Sequence, residues 1–80
     1  IIAICKELCI NNYSKSNAKL ELKEKTTLKT QTIAVMAKDK SCVFDFPYGV
    51  YSLYLYVGGK LVKTSDLKIE EDFKVIEIPN

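Results

Sequence analysis

The stretch Val50-Tyr51-Ser52-Leu53-Tyr54-Leu55-Tyr56-Val57 leaves this chain few architectures to choose from. β-Branched and aromatic side chains fill it, and both suit a pleated backbone better than a helix. Gly58-Gly59 follows at once, and this pair tolerates the two positive φ angles of a two-residue hairpin turn. The pattern predicts a strand over 50–57, a tight reversal, and a partner strand over Lys60-Leu61-Val62-Lys63-Thr64. Successive strand residues point to opposite faces. Val50, Ser52, Tyr54 and Tyr56 share one face, while Tyr51, Leu53, Leu55 and Val57 share the more apolar one, which is the expected core face.

Alternation recurs along the rest of the chain, and helical periodicity is poor. Residues 1–10 read as an apolar strand, and Ala18, Leu20 and Leu22 alternate with Lys19, Glu21 and Lys23 in a second. A third spans Gln31 to Lys38. Cys42 to Phe46 forms a short strand that Pro47 ends, because proline has no N–H to give a ladder. Leu67-Lys68-Ile69 is a further short run after Ser65-Asp66, and Phe73 to Ile78 is the last strand. Polar turn-formers at 11–17, 24–30, 39–41 and 70–72 separate these elements. Roughly seven short strands at such spacing predict an all-β fold, a seven-stranded antiparallel β-sandwich with residues 1–80 as a single domain.

Composition narrows the chemistry. The chain has 80 residues, of which 48 % are hydrophobic, enough to line a two-layer core. A domain this small buries only about 60 % of the surface its unfolded chain exposes, so a deep substrate cleft is not expected. Lysines and carboxylates nearly balance at a net charge of +2, and histidine, arginine and tryptophan are absent. Without histidine the commonest general base and metal ligand is missing. Without arginine there is no bidentate phosphate clamp, and a charge of +2 is not the basic excess of a nucleic-acid binder. No catalytic residue, metal site or cofactor is expected, and no apolar run approaches the ~20 residues of a membrane span.

Cys5, Cys9 and Cys42 make an odd count. Cys5 and Cys9, four residues apart on one strand, are expected to share a face about 13 Å from each other. All three are read as small buried hydrophobes, with Cys42 bridged to one of the others as the alternative. The opening Ile1-Ile2-Ala3-Ile4 carries neither a methionine nor signal-peptide character, and reads as the start of a piece excised from a longer protein.

The run Asp39-Lys40-Ser41-Cys42-Val43-Phe44-Asp45-Phe46-Pro47-Tyr48-Gly49-Val50-Tyr51-Ser52-Leu53 resembles the signature of prealbumin-like sandwich modules. These include the Cna protein B-type domains of bacterial surface proteins and the carboxypeptidase regulatory-like domains. Their shared core is a polar turn, an aromatic strand, a Leu-Pro-x-Gly-like corner and a tyrosine two residues after the glycine. In this corner Pro47 fixes φ, Gly49 is expected to supply a backbone that a Cβ would strain, and Tyr51 packs across the turn. The resemblance implies an immunoglobulin/prealbumin-like sandwich. Many Cna B-type domains also form an internal isopeptide bond between a first-strand lysine and a last-strand Asn or Asp, beside a buried acid. Lys6 and Asn80 stand where those partners would be. The acid is missing, because Leu55 occupies its position and Val50 to Val57 contains no carboxylate.

Asp66, Glu70, Glu71 and Asp72 cluster in sequence without the spacing of an EF-hand loop, and read as a solvated turn. Tyr54 and Tyr56 share a face and offer a stacking patch for sugars, although cross-strand sheet stabilisation accounts for them equally. Asn12-Tyr13-Ser14 satisfies the N-glycosylation pattern. Three functions stay open. The first is a non-catalytic spacer or stalk module of a larger, cell-surface bacterial protein, whose partners are neighbouring domains of the same polypeptide. The second is a carbohydrate- or protein-binding module. The third is a stand-alone regulatory protein that masks a partner's surface; unpaired cysteines favour it, because they belong in a reducing, cytoplasmic setting rather than an extracellular one.

Overall fold

The computed structural model describes residues 3–80, and these are all β, without a helix among them. In chain order the strands are β1 (Ile4–Asn12), β2 (Ala18–Glu24), β3 (Thr30–Val35), β4 (Lys40–Pro47), β5 (Gly49–Val57), β6 (Lys60–Ile69) and β7 (Phe73–Ile78). They form two facing sheets, a three-stranded one in the order β4-β1-β7 and a four-stranded one in the order β3-β2-β5-β6. The first two residues of the strand expected over 1–10 lie outside the described residues.

The predicted hairpin is present. Val57 pairs with Lys60, and Gly58 and Gly59 turn the chain at φ 60° and 82°. The core face of β5 is the expected one, with Tyr51, Leu53 and Leu55 buried and Val57 half-buried. Leu20 and Leu22 of β2, Ile33 and Val35 of β3, and Ile69 of β6 complete that layer. Leu8 and Ile10 of β1, Phe46 of β4 and Ile78 of β7 meet it from the other sheet. Each such side chain contributes roughly 1.5–3 kcal/mol by leaving water.

Several expectations change. The sandwich is not wholly antiparallel, because β1 and β7 run parallel, from Glu7 beside Phe73 to Asn12 beside Ile78. Alternation fixes which face a residue takes, not the direction of its neighbour. Here the turn before β7 delivers the chain to the end where β1 begins, and Glu7 N–H donates to Asp72 C=O at 3.1 Å. Nor do the sheets follow the immunoglobulin constant-type grouping, which would set strands 1-2-5-4 against 3-6-7. Leu67-Lys68-Ile69 is not a separate run but the end of the ten-residue β6. Its Ser65 pairs with Leu53 and its Asp66 with Ser52; polar residues persist there because much of this edge strand is exposed.

The β1–β4 ribbon holds the largest surprise. Its register is regular from Ile4 beside Pro47 to Asn11 beside Lys40, except that Lys6 and Asp45 do not pair, and Asp45 has φ 58°. Alternation resets there in both strands. Cys5 and Phe46 point inward before the break, and Leu8, Ile10 and Val43 point inward after it. Cys5 and Cys9 therefore do not share a face. Cys5 is a free thiol in the core, whereas Cys9 lies opposite Cys42 on the sheet's outer face, only 1 % exposed, and is disulfide-bonded to it. Two of the three cysteines are thus a bridge and not isolated hydrophobes.

At the corner, Pro47 ends β4 and Tyr51 reaches back, donating its hydroxyl to the Pro47 carbonyl at 2.7 Å. Its ring stacks obliquely on Phe46, with centroids 5.1 Å apart. Gly49 is extended rather than left-handed, as positive φ among the glycines falls only at Gly58 and Gly59. A Cβ at Gly49 would meet the Tyr51 ring at 3.4 Å, an ordinary van der Waals distance, so neither backbone angle nor space demands glycine here.

Candidate interaction surfaces

The register fixes what each sheet shows to solvent. On the outer face of the four-stranded sheet, three rows cross the strands: Ala34-Lys19-Tyr56-Leu61, Thr32-Glu21-Tyr54-Thr64 and Thr30-Lys23-Ser52-Asp66. This surface is polar and internally paired. Lys19 bonds Glu21 at 3.5 Å and sits 4.8 Å above the centre of the Tyr56 ring. Tyr54 and Tyr56 do share this face, as the alternation requires, and both are half-buried. The ammonium of Lys19 covers one side of the Tyr56 ring, which reduces the area on which a sugar could stack.

The outer face of the three-stranded sheet differs in kind. Its rows are Phe44-Glu7-Phe73, Cys42-Cys9-Val75 and Lys40-Asn11-Glu77. Phe44, Phe73 and Val75 stand 66, 65 and 55 % exposed, with the disulfide among them. Contiguous exposed apolar residues of this sort mark surfaces that meet other molecules. Strand periodicity alone did not reveal the patch, because the reset at Lys6 and Asp45 sends Phe44 outward while Phe46 stays in the core. The Glu7 carboxylate approaches the sulfurs of Cys9 and Cys42, but those sulfurs are bonded to each other, and a metal needs free thiolates.

Lys6 and Asn80 are not brought together. Lys6 lies at the Phe73 end of the β1–β7 ladder, exposed and 3.8 Å from Asp72, whereas Asn80 follows the opposite, Ile78 end. The acidic run also disperses. Asp66 pairs with Lys25, Glu70 with Lys68, Glu71 with Lys74 and Asp72 with Lys6, so the four carboxylates do not converge on one point.

Asn12, although it sits in a glycosylation pattern, is only 1 % exposed. Its amide donates to the carbonyls of Ser16, Val35 and Met36, and its Oδ1 accepts from the N–H and hydroxyl of Ser14. The side chain pins the 13–17 loop to the end of β3 and is no sugar acceptor in the folded protein.

The remaining surface is the open side of the sandwich. An apolar groove of about 420 Å³ runs between β7 and the β5–β6 hairpin, with Leu55, Val57, Val62, Ile76, Ile78 and Pro79 along it. The chain was compared with protein-family models, with curated proteins and with solved structures, and none of them matches.

Proposed function

We propose that the chain is a non-catalytic structural module of the prealbumin-like kind, a spacer within a larger cell-surface protein whose immediate partners are its neighbouring domains. One observation carries this reading: the first and last strands are adjacent and parallel. The start of β1 and the end of β7 consequently lie at opposite poles of a body measuring 40 × 21 × 15 Å. A ten-residue strand spans roughly 33 Å, so the long axis follows the strands. Tension entering through β1 and leaving through β7 loads their ladder in shear, with all its hydrogen bonds strained together rather than one after another. The Tyr51–Pro47 corner supports the family reading, and the Cys9–Cys42 bridge supports an oxidising, extracellular setting. That bridge also leaves Cys5 as the one unpaired cysteine of the three on which a stand-alone cytoplasmic regulator rested.

Single-molecule pulling tests the spacer reading. With handles just before β1, at Ala3, and just after β7 the load is shear; with handles at Ala3 and in the 70–72 turn, both attachment points lie at one pole and β7 peels away stepwise. The end-to-end geometry is expected to unfold at the higher force, since forced unfolding follows the unfolding barrier. Equal forces in the two geometries would refute a load-bearing role. A second reading, a protein-binding module, is favoured by the exposed Phe44, Phe73 and Val75. Replacing these three with serine then abolishes partner capture while leaving the unfolding force unchanged.

A further inference from the structure

The row beside the disulfide on the three-stranded sheet is Phe44-Glu7-Phe73. Its middle member is a carboxylate flanked in register by two phenylalanines, and among the described residues it makes no ion pair. Asp66, Glu70, Glu71 and Asp72, by contrast, each have a lysine. Glu7 is turned toward sulfur instead. It lies two residues before Cys9 on β1 and so shares its face. A carboxylate oxygen of Glu7 and the sulfurs of Cys9 and Cys42 all fall within 4.8 Å of one another.

Two sulfurs and a carboxylate oxygen suit a thiophilic divalent cation rather than calcium or magnesium, which take oxygen. A tetrahedral zinc centre, with Zn–S about 2.3 Å and Zn–O about 2.1 Å, holds its donors about 3.6–3.8 Å apart. The β1–β4 ladder brings the donors to that range without help from the bridge. Leu8 beside Val43 and Ile10 beside Ser41 set the register on either side of Cys9 and Cys42, whose Cα atoms are 4.0 Å apart. Once the sulfurs are no longer bonded, rotation about each Cα–Cβ bond separates them, while Glu7 keeps its place on the same strand. Cys5 takes no part, because it is buried in the core.

We propose that reduction of the Cys9–Cys42 bridge converts this face into a metal site, in which Glu7, Cys9 and Cys42 together hold one zinc-like divalent cation. Opening the bond takes two electrons and two protons from a dithiol, which leaves as its cyclic disulfide. The cation then displaces the two thiol protons and binds the thiolates, and the Glu7 carboxylate supplies the third ligand. Three protein ligands leave the fourth tetrahedral position to water or to a donor from another molecule. Bridge and metal exclude each other, because both use the same two sulfurs. The spacer reading concerns the bridged chain and is independent of this one.

For the test, the full chain is reduced with a phosphine, which water converts to its oxide as the bridge opens and which leaves no competing thiol. After gel filtration without oxygen it is titrated with zinc against a chromophoric chelator. One zinc per chain is expected, with a dissociation constant of about 1 μM or below, and none on the oxidised chain. Cadmium in place of zinc should produce the ultraviolet band of a cadmium–thiolate bond. Glu7→Gln should weaken zinc binding about 10–100-fold, Cys42→Ser should abolish it, and Cys5→Ala should leave it unchanged. Because losing the bridge destabilises the fold, a melting curve and a titration in urea accompany these. Zinc should raise the melting temperature of the reduced chain, and should bind the urea-unfolded chain more weakly. Equal zinc binding by the oxidised chain, by Glu7→Gln or by the urea-unfolded chain overturns the proposal. So does a reduced chain that zinc neither binds nor stabilises.

Discussion

Replacing Cys9 and Cys42 together by alanine gives the most direct measure of what holds this small sandwich together. The bridged residues are 33 apart in sequence. A cross-link of that span withdraws about 4 kcal/mol of loop entropy from the unfolded chain at 25 °C. The whole domain, at 80 residues, is expected to have only about 4–12 kcal/mol of stability, so the bridge supplies a third or more of it. The cost comes almost entirely from the denatured state. Both sulfurs lie on the outer face, so the truncation opens no cavity between the sheets. Urea unfolding followed by circular dichroism should place the variant's midpoint far below that of the oxidised parent. The melting temperature should fall by about 15–30 °C, and the reductant-treated parent should match the variant. Thiol titration of the oxidised protein should find one reactive group, Cys5, and only after denaturant exposes it. Three reactive thiols in air-oxidised protein, or a midpoint indifferent to reductant, would refute the reasoning.

Three further outcomes follow from single side chains. Asn12→Ala strands the Ser14 N–H and deprives the Ser16, Val35 and Met36 carbonyls of their donor, and should cost about 2–4 kcal/mol in chemical denaturation. Tyr51→Phe loses the bond to Pro47 and should cost about 1 kcal/mol. Burial, and then the negative charge of Glu24, raise the Tyr51 hydroxyl pKa above its usual value near 10. Its stabilisation is therefore complete below that pH and fades as pH rises through the folded-state value; a denaturation series in strong alkali should show the parent losing its advantage over Tyr51→Phe. Glu24 behaves oppositely. The backbone N–H groups of Thr27 and Thr26 bind its carboxylate and lower its pKa below 4.5, so its contribution is present above that value and disappears on acidification. A Glu24→Gln variant should be less stable than the parent at neutral pH and converge with it in acid.

How much of this could be read from residues alone depended on how local the cause was. The β5 strand, its core face and the Gly58-Gly59 turn follow from side-chain shape and φ preference within a dozen positions, and the sequence displays them openly. The Pro47–Tyr51 corner was legible for the same reason, although Gly49 is extended and does not use the backbone freedom expected of it. Partner choice was not legible. Nothing in Phe73 to Ile78 states that its neighbour is β1 or that the two run parallel, because that is fixed by where the preceding turn delivers the chain. The disulfide was hidden by the face reset at Lys6 and Asp45, which separates Cys5 from Cys9 and so decides which cysteine meets Cys42. The same reset concealed the Phe44–Phe73 surface. Lys6 and Asn80 were placed by likeness to a family pattern, and the parallel register sets them at opposite ends of one ladder.

Burial of Asn12 also turns the choice of production host into a race. In a secretory pathway that attaches oligosaccharides to Asn-x-Ser as the chain emerges, the enzyme meets Asn12-Tyr13-Ser14 while still extended. Each chain is either modified or folded first. A glycan on Nδ2 replaces a hydrogen that Asn12 needs for the Ser16, Val35 and Met36 carbonyls, and it has no room where the residue lies. Glycosylated molecules from such a host should accumulate unfolded and be degraded, while the unmodified fraction is native. Slower translation or faster folding then changes yield without altering a single contact in the finished protein.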